Sequence, residues 1–353
     1  MKKGVFKYQN DWHLESGETL PGFELTYHTA GKLNEDKSNV IWVCHALTAN
    51  SNVSDWWKEL FGKGNALDPE KFFIICVNVP GSCYGSTSPL SINPLTKKPY
   101  FHTFPLITIR DIVNSFDILR QSLKIDRIHT LLGGSLGGQQ ALEWACSKPE
   151  LFSRIIPIAT NARHSAWGIA YNESQRMAIK SDPTWCNSHH NAGMNGMKTA
   201  RSIALLSYRA YKTYESSQTD QDQDKTDDYL ASSYQHYQGE KLSKRFNAFS
   251  YWYLSKAMDS HHLGRGRESL KSALNHIKAA TLIIGINSDN LFPIKEQVFL
   301  FNHIPNAQLE VVDSNFGHDG FLTETLKINP LIKSFINLKS INDLEKEPLA
   351  ELS

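Results

Sequence analysis

At 353 residues the chain is long enough to bury a full core, either as one large α/β domain or as two smaller ones. Its net charge is +1, from 37 basic and 36 acidic residues, and no basic run of the kind that tracks nucleic acid occurs, so no polyanionic partner is expected. The first ten residues carry lysines without a following apolar stretch, and no later segment approaches the length of a membrane span, which predicts a cytoplasmic protein.

The chain then reads as strands alternating with helices. Phe23 to His28 alternates like a strand, and Gly31 to Ser38 is a polar turn. Val40 to Cys44 is a continuous apolar run, the pattern of a strand covered on both faces, and it ends at His45-Ala46-Leu47-Thr48. Phe72 to Val79 is a second such run, followed by a Gly/Ser-rich loop through Ser88-Pro89. Thr108 to Leu123 has helical periodicity. His129 to Leu132 runs into Gly133-Gly134-Ser135-Leu136-Gly137-Gly138, ahead of a helix-forming stretch from Gln139 to Cys146. Arg154 to Ile158 is a further apolar run, so the pattern to this point predicts a mostly parallel sheet built from right-handed crossovers.

From 163 to 267 the character changes. This stretch is rich in Tyr, Ser, His and Gln, has helical segments such as Met197 to Lys212 and Leu242 to Met258, and holds no run resembling a buried strand. It predicts a helical lid inserted into a core formed by residues 1–162 and 268–353. Within it, Asp220, Asp222 and Asp224 match the first spacings of a calcium loop. Lys225 stands where that loop needs glycine and Ala231 where it needs a bidentate glutamate, so a solvated acidic loop over 215–228 is expected and no metal site. The strand pattern resumes at Ala279 to Ile286 and Leu309 to Val312, followed by a last helix over Phe321 to Leu338 and a charged tail over 340–353. The five cysteines, Cys44, Cys76, Cys83, Cys146 and Cys186, are scattered without a C-x-x-C pair, which argues for mostly buried thiols rather than a disulfide framework.

The chemistry centres on G-x-S-x-G at Gly133, Ser135 and Gly137. Such a serine sits on a sharp turn between strand and helix, with its hydroxyl exposed and the next backbone N–H, from Leu136, free to meet a developing negative charge. A serine hydroxyl needs a base within hydrogen-bond reach and a third group to orient that base. Asp289 and His318 follow two later strands, and the order Ser, Asp, His is that of α/β-hydrolases. Asp289 has an alternative role as a helix cap, and Asp313 is its nearest rival as the acid. His318 lies in a loop rather than on an apolar face. A second oxyanion donor is expected from the Leu47 N–H, with His45 shaping that loop.

His45-Ala46-Leu47-Thr48, Asn78-Val79-Pro80-Gly81, Gly133 to Gly138, Ala200-Arg201, Ser288-Asp289 and Gly317-His318-Asp319-Gly320 together resemble the homoserine O-acetyltransferase family, over about 23–338. The resemblance implies an α/β-hydrolase fold with helices on both faces of the sheet and an inserted helical lid. It implies ping-pong acyl transfer from acetyl-CoA, a co-substrate and not a bound cofactor, to L-homoserine on the way to methionine. Ser135 is then the nucleophile, His318 the base and Asp289 its orienting acid. Arg201 and Asp319 match the positions that hold the amino acid, and a guanidinium for its carboxylate and an aspartate for its ammonium make physical sense unaided. The family also implies a homodimer. Leu136 stands where most members have Met, a volume-conserving change that keeps the N–H donor, while Ala49 and Pro80 depart from the usual residues where the acyl chain would lie and leave acetyl or succinyl transfer open. Serine as acceptor is a further alternative, as is ester hydrolysis, since the same triad serves water.

Overall fold

The structure, a computed structural model, describes residues 1–338. Its strands in chain order are Lys2–Tyr8 (β1), Trp12–His13 (β2), Thr19–Leu20 (β3), Phe23–Ala30 (β4), Val40–Cys44 (β5), Phe73–Val77 (β6), Ile128–Gly134 (β7), Phe152–Ile158 (β8), Ala280–Ile286 (β9) and Ala307–Val312 (β10). β2 and β3 pair with each other, and the other eight form one sheet in the order β1-β4-β6-β5-β7-β8-β9-β10. From β6 to β10 neighbouring strands are parallel, while β1 and β4 join antiparallel at one end.

The apolar runs form strands because both faces of the sheet are covered. Every residue of β5 is buried, and successive side chains enter opposite layers: Val40, Trp42 and Cys44 one, Ile41 and Val43 the other. The first layer is closed by Ile109–Ser122 (α2) and Leu136–Ser147 (α3), which follow the short helix Val53–Trp56 (α1). There Trp42 meets Trp144 edge to face at 5.0 Å, and burial of each large apolar side chain contributes about 1.5–3 kcal/mol. α2 begins at Thr108 as anticipated, because Thr108 Oγ1 accepts from Asp111 N and Asp111 Oδ2 accepts from Thr108 N, a capping box.

Six helices occupy the chain between β8 and β9, five of them within 163–267: Ala166–Lys180 (α4), Met194–Tyr208 (α5), Tyr211–Gln218 (α6), Leu230–Ser243 (α7) and Ala248–Asp259 (α8). Leu270–Asn275 (α9), Ile294–His303 (α10), Gly320–Thr323 (α11) and Thr325–Ile336 (α12) complete the set, with Ile328, Ile332 and Phe335 of α12 closing the second layer. Among the described residues no helix is long and apolar enough to cross a membrane.

Three expectations need correction. The helix anticipated over Leu242 to Met258 is two helices, broken where the Asn247 side chain accepts from Phe249 N and caps α8. The segment anticipated over Met197 to Lys212 ends at Tyr208, after which Arg209 is extended. The closing helix is split at Glu324 between α11 and α12, and the tail over 340–353 lies outside the described residues. β1 was not anticipated at all: as an edge strand rich in lysine, it carries no fully buried residue to mark it.

Candidate active site

The strand order places the site. From β5 the chain crosses to β6 on one side and then returns to β7 on the other, so the loops leaving β5 and β7 diverge and open a crevice at their carboxyl ends. Leu47 follows β5 there, and Ser135 follows β7.

Ser135 has φ +57° and ψ −123°, a backbone conformation that costs an L-residue about 1–3 kcal/mol. It is held from three sides: Ser135 N donates to Ile158 O at 2.9 Å, and Ser135 O accepts from Gln139 N at 3.1 Å and Thr160 Oγ1 at 2.9 Å. The turn closes only without side chains beside it. A Cβ on Gly137 would lie 2.1 Å from the Cys44 carbonyl oxygen, and one on Gly133 would lie 2.5 Å from Gly137 backbone. Leu136 opens α3, so its N–H has no acceptor within the helix. The Leu47 N–H, at the cavity wall, meets no acceptor among the described residues.

His318 Nε2 lies 2.9 Å from Ser135 Oγ, and His318 Nδ1 lies 2.6 Å from Asp289 Oδ2. The second carboxylate oxygen, Oδ1, accepts from Leu291 N and Phe292 N, each at 2.8 Å, so Asp289 caps its own turn and meets the histidine at once. Asp313, the rival acid, instead accepts from Asn287 Nδ2 at 2.5 Å. His318 sits on a short 3-10 turn, Gly317–Asp319, and is only 2% exposed. Contrary to expectation its surroundings are apolar: the rings of Phe292, Phe321 and Tyr208 stand 5.0, 5.2 and 5.7 Å from the imidazole. Ser135 and Asp289 are also buried, so the hydrogen-bond line lies in the interior, and at its serine end it borders a cavity.

That cavity, of about 550 Å³, is walled by the loop after β5, by Ser135 and the segment around His318, and by the inserted helices. Arg201 and Asp319 both line it. The Arg201 guanidinium stands 5.4 Å from the Tyr208 ring, and among the described residues it pairs with no carboxylate. Asp319 is engaged by a neighbour that the sequence did not single out, Arg209, whose Nε lies 2.8 Å from Asp319 Oδ2. Tyr208 and Lys241 reach the cavity from α5 and α7, Arg209 and Arg245 from the connections after those helices, and all four were missed. Tyr208 had a signal available, since a spacing of seven from Arg201 returns to the same face of α5. Among the described residues no cluster of three or more His, Cys, Asp or Glu could hold a metal ion.

His45 is not exposed to the cavity. Its ring is fully buried, and desolvation pushes its pKa down to about 4, so it is neutral at physiological pH.

The arrangement is that of an activated serine facing a cavity where Asp319 is paired with Arg209 and where, among the described residues, Arg201 meets no carboxylate. Known proteins resemble the chain at several levels. The profile of the family described as alpha/beta hydrolase fold matches residues 39–325. A homoserine O-acetyltransferase from Cyclobacterium marinum is 48% identical over 335 residues, covering 95% of each chain. The crystal structure of homoserine O-acetyltransferase from Bacillus anthracis superposes with a TM-score of 0.89 at 26% identity, covering 96% of this chain and 98% of that one. Esterase E22 superposes with a TM-score of 0.87 at 24% identity over 95% and 100% of the two chains, a likeness of fold. With an identity of 48% over nearly its whole length, the chain belongs to the homoserine O-acetyltransferase family, on the α/β-hydrolase fold.

Proposed function

We propose that the chain moves an acetyl group from acetyl-CoA to the hydroxyl of L-homoserine through an acyl-Ser135 intermediate, giving O-acetyl-L-homoserine and CoA. The observation that carries this is the unbroken line from Asp289 Oδ2 through His318 to Ser135 Oγ, ending in a cavity shared with Arg201 and Asp319. No permanently bound cofactor is required.

In the first half-reaction His318 Nε2 takes the Ser135 proton as Oγ attacks the thioester carbon. Asp289 holds the imidazole in place and stabilises its positive charge. The Leu47 and Leu136 N–H groups receive the oxyanion, each such donor being worth about 2.7–4 kcal/mol in comparable sites. The C–S bond then breaks, and His318 returns its proton to the leaving sulfur. In the second half-reaction Arg201 holds the carboxylate of homoserine and Asp319 its ammonium. His318 takes the proton of the homoserine hydroxyl, which attacks the acyl carbon, and the proton passes to Ser135 Oγ as that ester bond breaks.

Water could resolve the same intermediate. The inserted helices act as a lid that walls the cavity, and a positioned acceptor gains an effective molarity of roughly 10⁵ M or more over a free nucleophile. Intact-mass measurement after acetyl-CoA, followed by addition of L-homoserine, tests the proposal. The expected result is a Ser135-dependent adduct of one acetyl group that persists alone and is discharged by homoserine with release of CoA. Absence of an adduct refutes acyl transfer through Ser135, and decay equally fast without homoserine shows an esterase. Parallel runs with succinyl-CoA and with L-serine fix donor and acceptor. A cytoplasmic homodimer belongs to the same proposal, and sedimentation velocity checks the stoichiometry.

A further inference from the structure

The two N–H groups assigned to the oxyanion lie on different elements, one in the loop after β5 and one at the start of α3. Something must aim the first and fix it to the second. A trans peptide holds its C=O and N–H antiparallel in one plane, so whatever grips the Ala46 carbonyl sets the direction of the Leu47 N–H. That carbonyl has two donors: Ala49 N at 3.0 Å, and the His45 ring, whose Nδ1 lies 2.8 Å away.

The protonation of the ring follows from its other contact. Val79 N–H, 3.0 Å from His45 Nε2, can only donate, so Nε2 is the bare nitrogen and the proton is on Nδ1. Burial disfavours the imidazolium, and the single tautomer is kept across the neutral range. A carbonyl that accepts hydrogen bonds also polarises the N–H of its own peptide, making it a better donor. Gln140, fully buried on α3, completes the arrangement, since its Nε2 donates to His45 O and to Leu136 O, each at 3.1 Å.

We propose that His45 is a positioning residue for the oxyanion hole: its imidazole sets the plane of the 46–47 peptide and aims Leu47 N–H at the acyl oxygen on Ser135, while Gln140 fastens that loop to α3. The inference rests on the acyl-Ser135 reading and adds a role for two side chains that touch no substrate.

The paired variants His45→Asn and His45→Gln test it, because the asparagine amide can replace Nδ1 and the glutamine amide only Nε2. The decisive readout is the infrared stretch of a [1-¹³C]acetyl group on Ser135, whose frequency reports how strongly its oxygen is polarised. His45→Gln is expected to raise that frequency and to lower kcat by about 10²-fold with the KM for homoserine unchanged, the scale of losing one oxyanion donor. His45→Asn should restore most of both. If the band of the folded His45→Gln enzyme stays at the wild-type position, the positioning role is refuted, even where stability falls. Should His45→Gln fail to fold, Gln140→Met carries the test: an upward shift and a roughly tenfold loss of kcat are expected, and an unmoved band overturns the proposal. A wild type that forms no adduct removes the acyl-serine reading and this inference with it, an outcome distinct from an adduct whose band does not move.

Discussion

The loops at the carboxyl ends of the sheet and the helices inserted after β8 wall the same cavity by different means. On the sheet side the backbone sets the geometry: a strained serine, glycines that admit no side chain, a carboxylate pinned by two N–H groups. On the helical side the cavity is reached by long cationic side chains, Arg201 and Lys241 on α5 and α7 and Arg209 and Arg245 on the connections after them, none of them fixed by a turn that admits a single residue type. Chemistry assigned to the first region should therefore be all-or-none, and selection of the acceptor by the second should be graded.

Substitutions on the sheet side should show the largest effects. Ser135→Ala is expected to abolish the acetyl adduct and reduce transfer by roughly 10⁵–10⁶-fold, and Asp289→Asn by about 10⁴-fold with the fold retained, as for comparable hydrogen-bonded triads. Steady-state transfer rates and circular dichroism check both. A Ser135→Ala protein that still acylates would break the comparison at its root. Gly137→Ala probes the backbone itself. Its Cβ would lie 2.1 Å from the Cys44 carbonyl oxygen, a backbone atom that cannot swing aside, so a loss of about 1–3 kcal/mol in urea unfolding is expected along with most of the activity.

The same division explains what could be seen in the sequence. β5 and the elbow were legible because a strand covered on both faces must be apolar throughout, and a turn against Cys44 must be glycine. Asp289 and His318 were legible because they follow strands in the order the fold requires. Arg209 was hidden: it stands just beyond the end of α5, and only the tertiary approach of the 317–319 turn gives it Asp319 as a partner. The break before α8 was missed for a related reason, since Asn247 is an ordinary polar residue within a helical pattern until its side chain is seen to cap Phe249 N. The apolar cage around His318 comes from three separate elements and leaves no local trace.

Arg201→Lys sharpens the comparison from the helical side. A lysine keeps the charge but loses the planar fork that matches a carboxylate, so the KM for L-homoserine should rise about 10- to 100-fold. The rate of acetyl-adduct formation from acetyl-CoA should not change. Stopped-flow acylation beside steady-state kinetics separates the two. If acylation slows as much as acceptor binding weakens, the inserted helices take part in the chemistry as well as in selection.

The smallest effect concerns how the two regions are joined. His164 and His261 lie at that junction: His164 sits 3.3 Å from Gln139 Nε2 on α3 and 3.2 Å from Asn172 Nδ2 on α4, and His261 Nε2 lies 2.9 Å from Asn161 O. Burial pushes their pKa values down to about 3 and about 4, so both are neutral in the folded protein. The unfolded chain protonates them below about pH 6.5 and the folded one does not, so the unfolded state binds more protons and stability falls as pH drops from about 6.5 toward 4. Above pH 6.5 these groups add no slope. Each contributes up to about 1.4 kcal/mol per pH unit across that window. His261→Gln removes one titrating group while keeping a donor for Asn161 O. Urea unfolding at pH 7 and pH 5 should then show a shallower loss of stability in the variant than in the wild type, by the share of a single proton. Equal slopes would mean that His261 takes up its proton while the protein is still folded, and that the junction between sheet and inserted helices tolerates a charge the buried geometry is expected to refuse.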